Sequence, residues 1–167
     1  MKSIKDLDFW SSLVIIFITI YFMIATYLRW FQLHILVGPF FIDHWFVWIG
    51  TLYIAFVIPV FYVSKRRYPK RLTTLIRIHA FGNLFAFMLI SIHFAQQIGR
   101  PPQFYPDLGT GLTLYIVMFI LTVTGFLHRF RLIRRVRPHL NRFLHISITM
   151  SFYIIIGIHT LEGLKIL

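Results

Sequence analysis

Cysteine is absent from the 167 residues. Disulfides, iron–sulfur clusters, thiolate zinc sites and covalently attached c-type haem are therefore excluded. Charge is scarce too. Charged residues make up 13% of the chain, where a soluble domain carries about a quarter. Acid is scarcest: five Asp and Glu stand against 17 Lys and Arg, a formal net charge of +12. All five acids (Asp6, Asp8, Asp43, Asp107, Glu162) read as helix ends or loops. Also missing is a Gly-x-Gly-x-x-Gly nucleotide fingerprint.

What is present is apolar sequence, 58% of the chain. Five runs approach the roughly 20 residues that a membrane-crossing helix needs. In lipid every backbone polar group must be satisfied internally, which leaves helices or a closed barrel. The runs lack the apolar–polar alternation of barrel strands, so the expected fold is an all-α membrane protein. Its five transmembrane helices form a single domain over residues 1–167, at about 9–29, 44–64, 72–97, 108–128 and 138–164. Trp10 and Trp30 read as interfacial anchors of the first helix. No small-residue cleavage site ends that run, so it reads as a retained helix and not a signal peptide. The segment Phe31–Asp43, with Gly38-Pro39, reads as a loop or a shallow interfacial piece. Pro59 falls inside the second helix, where lipid-embedded helices tolerate a kink.

In a soluble protein such a positive charge would suggest nucleic acid. Here the basic residues lie in short loops, which is a topology signal. The N-terminus and the loops before helices 3 and 5, taken with the starts of those helices, together hold fourteen Lys and Arg; the other three ends hold Arg29, Arg100 and Lys165. The N-terminus and both basic loops are expected on the cytoplasmic side and the C-terminus outside.

Ionisable residues inside a span are rare and point to function. Helix 3 carries His79 and His93, and helix 5 carries His145 and His159; both separations are fourteen residues. Fourteen steps of about 100° return each pair to within roughly 40° of one helix face, about 21 Å apart along the axis. The expected topology makes helices 3 and 5 parallel, so His79 and His145 share one depth and His93 and His159 another. Two facing imidazoles are the axial ligands of a six-coordinate haem. The expectation is two stacked haems b between helices 3 and 5, with the four histidines as iron ligands. A lone histidine would more simply bond a neighbouring helix; two pairs of equal spacing argue for ligation.

Gly82 and Gly157 lie in the intervals and would let a macrocycle approach the backbone. Arg77, Arg142 and Arg100 are candidate partners of the haem propionates. Arg77 and Arg142 serve equally well as topology charges, whereas the loop around Arg100 is otherwise nearly neutral. His34, His44, His128 and His139 read as interfacial polar residues, with His34 or His44 alternatively serving a quinone or metal substrate. Phe81, Phe85, Phe87, Phe94, Phe152 and Tyr153 flank the ligands, as packing or lipid contacts.

The histidine spacing with a basic loop before each ligand helix resembles the dihaem cytochrome b superfamily. It is most similar to the transmembrane haem domain of ferric reductases and NADPH oxidases. Their ligand helices are also the third and fifth, and the outer-turn arginine and the basic loop recur. The stretch from Gly125 through His128 and Arg129 to His145 resembles that family's fourth-to-fifth connection. The resemblance covers about residues 44–163. It implies electron transfer across a membrane through two bis-histidine haems b, in a subunit of a respiratory or reductase complex. The family's flavin and nicotinamide domains have no counterpart before Leu167, so the expected donor is a quinol or another subunit. The alternatives are a self-contained quinol-driven extracellular reductase, walled by Phe31–Asp43, Gln96 and Arg100, and a histidine-based metal transporter. Transporters usually carry intramembrane carboxylates, which this reading does not find.

Overall fold

A computed structural model describes residues 2–31, 33, 35–101, 103, 109–130, 132 and 138–163. Of the positions read above, His34, Pro102, Asp107, Leu108, Arg131, Arg134, Arg135, Arg137, Leu164 and Lys165 lie outside the described residues. Among the described residues five helices are long and apolar enough to cross a membrane. They are α1 (Lys2–Tyr27), α2 (Ile42–Arg67), α3 (Leu72–Ile98), α4 (Gly109–Phe130) and α5 (Pro138–Gly163). The chain divides into two compact units, Met1–Pro106 and Asp107–Leu167.

In the first unit α3 packs against both α1 and α2. It is the most buried of the five helices, and Leu84, Ala86, Phe87, Leu89, Ile92 and Ala95 supply much of the core. α1 and α3 run parallel and are tied at both ends. Near their N-termini Arg77 grips Asp8 through two nitrogens, Nη2 at 3.0 Å and Nε at 3.2 Å. Near their C-termini Arg29 donates from Nε and Nη2 to the Gly99 carbonyl.

α1 begins earlier than its apolar run, because Asp8 is held by that ion pair and lies only 5% exposed. α1 ends in a Schellman arrangement: Trp30 N–H donates to Ala25 O and Arg29 N–H to Thr26 O. This puts Arg29 at φ 59°, a left-handed position that usually belongs to glycine.

Within the segment expected as a loop or a shallow interfacial piece, residues 36–41 form a small hairpin. β1 (Leu36–Val37) and β2 (Phe40–Phe41) pair antiparallel, Leu36 opposite Phe41 and Val37 opposite Phe40. Gly38 adopts φ +64° at the first corner, as a two-residue II′ turn demands, and Pro39 supplies the fixed φ of the second. Trp45 Nε1 donates to Val37 O and ties the hairpin to α2. α2 continues unbroken through Pro59. A single 3-10 turn, Pro69–Arg71, links it to α3.

The second unit is an α4–α5 pair. Its apolar side chains stay largely exposed, among them Phe119, Phe143, Met150 and Ile154. Such faces are consistent with lipid contact. Hydroxyls within these helices are satisfied locally: Thr122, Thr149 and Thr160 each donate to the carbonyl four residues back.

Candidate functional site

The four histidines of the fourteen-residue spacing divide between the units, two on α3 and two on α5. Each meets a polar partner at Nδ1, and the partner comes from within its own unit.

On α5 the arrangement repeats. His145 Nδ1 lies 3.0 Å from Thr124 Oγ1, and His159 Nδ1 lies 3.0 Å from Thr110 Oγ1. Both threonines sit on α4, and each precedes a glycine. A Cβ on Gly125 would come 3.3 Å from His145 Cε1, and a Cβ on Gly111 would come 3.3 Å from His159 Cε1. Thr110-Gly111 and Thr124-Gly125 are themselves fourteen residues apart, so the antiparallel helices match them to the histidine pair. Each glycine seats an imidazole and each threonine orients it.

A threonine hydroxyl has one proton. Thr124 gives its proton to Ile120 O at 2.9 Å or Leu121 O at 3.1 Å. Thr110 gives its proton to Glu162 Oε2 at 2.5 Å. Towards the histidines both oxygens therefore accept, so Nδ1 carries the hydrogen and Nε2 the lone pair. That leaves Nε2 as the atom that could ligate a metal, and an Nδ1–H held by an outer partner is the usual support of such a ligand. Asn141 adds a bond from Nδ2 to Thr124 O at 3.4 Å.

On α3, His79 Nδ1 lies 3.2 Å from the Asn83 side-chain amide, one turn on. The amide oxygen, Asn83 Oδ1, is buried without a partner. The Phe61 ring of α2 stacks on His79 at 4.6 Å between centroids. At the other end of α3, His93 Nδ1 lies 3.3 Å from Asp43 Oδ2, close but without the alignment of a full hydrogen bond.

Asp43 is 2% exposed. His44 Nδ1 lies 3.1 Å from its Oδ1, and Gln97 Nε2 donates to Oδ2 at 3.4 Å. The His44 and His93 rings meet edge to face at 5.4 Å. Asp43 had read as a mere helix end; its burial beside a candidate ligand has no sequence signal beyond its place at the start of α2.

The other candidate residues fall differently. Gly82 faces Tyr53: a Cβ there would overlap the phenol, whose hydroxyl donates to Ile78 O at 2.8 Å. That glycine serves the α2–α3 contact. Gly157 has no described atom within 4 Å of where a Cβ would stand. Arg77 is engaged by Asp8, and Arg142 is exposed at the start of α5. Arg100 holds a buried Nε with no partner among the described residues, which suits a carboxylate ligand. His128 and His139 are exposed. Of the flanking aromatics, Phe87 and Phe152 are buried and Phe85 is exposed.

Among the described residues no three His, Cys, Asp or Glu side chains are grouped to hold a metal ion. A haem iron asks less of the protein, because the porphyrin supplies four ligands and two imidazoles complete the six. The donor set fits that need: four oriented imidazoles, an unsatisfied arginine nitrogen and an open glycine. Set against known protein families, curated proteins and solved structures, the chain matches none.

Proposed function

We propose that this chain is a membrane cytochrome b that holds two haems b and carries electrons across the bilayer, as a subunit of a respiratory or reductase complex. One observation carries the reading most. His145 and His159 each hold Nδ1 at 3.0 Å from a threonine hydroxyl that spends its proton elsewhere, which leaves Nε2 able to ligate, and His79 and His93 each have a polar side chain within 3.3 Å of Nδ1.

The pairing of ligands rests on spacing and charge. Equal separations on α3 and α5, with a basic loop before each helix, set His79 with His145 and His93 with His159. The same charge count puts the N-terminus and the basic loops on the cytoplasmic side and the C-terminus outside. When bound, haem supplies reversible one-electron chemistry at its iron. The chain's own residues ligate, orient and insulate. Thr124, Thr110, Asn83 and Asp43 fix the imidazole planes, and the apolar helices keep water from the ligands. Arg100 Nε is available to a propionate. In this reading the donor is a quinol or another subunit.

The test is the reduced-minus-oxidised spectrum of the purified protein with its haem content. Two haems b per chain are expected, and one after His93→Ala. A wild-type protein with no haem, or a variant that keeps both, would end the reading.

A further inference from the structure

The connection between α2 and α3 gathers five cations in seven residues: Lys65, Arg66, Arg67, Lys70 and Arg71. Tyr68 and the 3-10 turn Pro69–Arg71 are all that separates the two helices. Both helices are long and apolar enough to cross a membrane. Four fully extended residues reach at most about 14 Å, so when α2 and α3 cross, the turn cannot stand clear of the headgroups. Its cations then lie at the depth of the lipid phosphates.

The turn is also pinned. Tyr68 N–H donates to Ser64 O at 2.8 Å, Arg71 N–H to Tyr68 O at 3.0 Å and Leu72 N–H to Pro69 O. Pro69 fixes its own φ. Aromatic rings hold three of the cations. The Lys65 ammonium lies 5.1 Å and the Arg66 guanidinium 4.4 Å from the centre of the Tyr62 ring, and the Arg67 guanidinium lies 5.7 Å from that of Tyr68. Arg66 Nη2 also donates to Tyr62 Oη at 2.6 Å. Arg67, Tyr68, Pro69, Lys70 and Arg71 line an open cavity of about 320 Å³, at the small end of the roughly 300–1,000 Å³ of ligand sites. Among the described residues none of Arg66, Arg67, Lys70 and Arg71 pairs with a carboxylate. Crowded like charges repel, and an anion seated among them relieves the repulsion. A topology signal needs only the count of basic residues in a loop; it has no use for a cavity or a pinned turn.

We propose that this turn binds the phosphodiester headgroup of an anionic phospholipid in the leaflet it faces. Arg67 and Arg71 offer planar forks that take phosphate oxygens two at a time, and Lys70 offers a compact point charge. Tyr62 and Tyr68, each about half exposed, are amphipathic rings of the kind enriched at headgroup level. An acidic protein would have to reach the same cations through the headgroup layer, whereas lipid already stands beside them. The proposal does not depend on the haem reading.

Native mass spectrometry of the full chain in neutral detergent tests it, with phosphatidylglycerol, phosphatidylcholine, inorganic phosphate and a polyglutamate peptide as probes. The wild-type chain is expected to retain phosphatidylglycerol in preference to phosphatidylcholine. Each basic residue at the surface is worth about fivefold in anionic-lipid binding, so Lys70→Gln with Arg71→Gln should weaken phosphatidylglycerol binding about 25-fold. Lys2→Gln with Lys5→Gln removes the same charge from the N-terminus and should leave binding near the wild-type value. Where the double variant of the turn does not assemble, Arg67→Gln alone decides, with a loss of about fivefold expected. Equal retention of the two lipids, or equal loss in the two double variants, would overturn the proposal. So would displacement of the lipid by inorganic phosphate, which would make this a site for free phosphate. Polyglutamate binding more tightly than phosphatidylglycerol would overturn it in favour of an acidic protein partner.

Discussion

Replacing Gly82 by alanine separates two jobs that a small residue can do on α3. The added methyl would fall inside the Tyr53 phenol, overlapping Oη, Cζ and Cε1. The phenol is the rigid end of an aromatic side chain and is held by its bond to Ile78 O at 2.8 Å, so α2 and α3 must part or Tyr53 must leave. Forced repacking costs about 1–3 kcal/mol, and the lost hydrogen bond about 1 kcal/mol. Against this, alanine in a helix interior is better than glycine by about 1 kcal/mol. The net expectation is a destabilisation of about 1–3 kcal/mol, seen as a lower unfolding midpoint by circular dichroism in detergent.

The decisive arm is the Tyr53→Ala background. There the obstruction is gone and only the helix preference remains, so Gly82→Ala should turn stabilising by up to about 1 kcal/mol. A change of sign between the two backgrounds is the signature of direct coupling. If Gly82→Ala destabilises equally in both, Tyr53 is not what fills that space. If haem is lost equally in both, the glycine serves the macrocycle and not the α2–α3 contact.

Other outcomes follow from named contacts. Thr124→Val removes the acceptor behind His145 and should weaken haem binding at that ligand about 10–100-fold, while Thr124→Ser retains it; haem content per chain reads this. Asp8→Asn breaks a two-point ion pair whose carboxylate is 7% and whose arginine is 37% exposed. The expected loss is about 1–3 kcal/mol, and an Arg77→Met partner change should recover part of it, since no charge is then left unpaired. Arg29→Gly and Arg29→Ala both lose the bonds to Gly99 O. Only glycine relieves the left-handed backbone, so the glycine variant should be more stable than the alanine variant by about 1–2 kcal/mol in thermal unfolding.

By itself the amino-acid order determined the five apolar helices, since a run of side chains that water rejects is a local property of the chain. It also determined the fourteen-residue histidine spacing, because helical phase and rise follow from residue count alone. Even the Thr110-Gly111 and Thr124-Gly125 repeat stood in the letters. Its meaning did not, because only the antiparallel α4–α5 pairing brings 110 to 159 and 124 to 145. Tertiary structure alone decided the rest of the ligand surroundings. The hairpin end of α2 carries Asp43 to His93 across 50 residues of sequence. Tyr53 fills the notch at Gly82, and Asp8 takes the guanidinium that had seemed available for a propionate. These are choices of partner between distant segments. Hydropathy and spacing record how each helix sits along its own axis, and they carry no information on which neighbour's side chain will stand beside it.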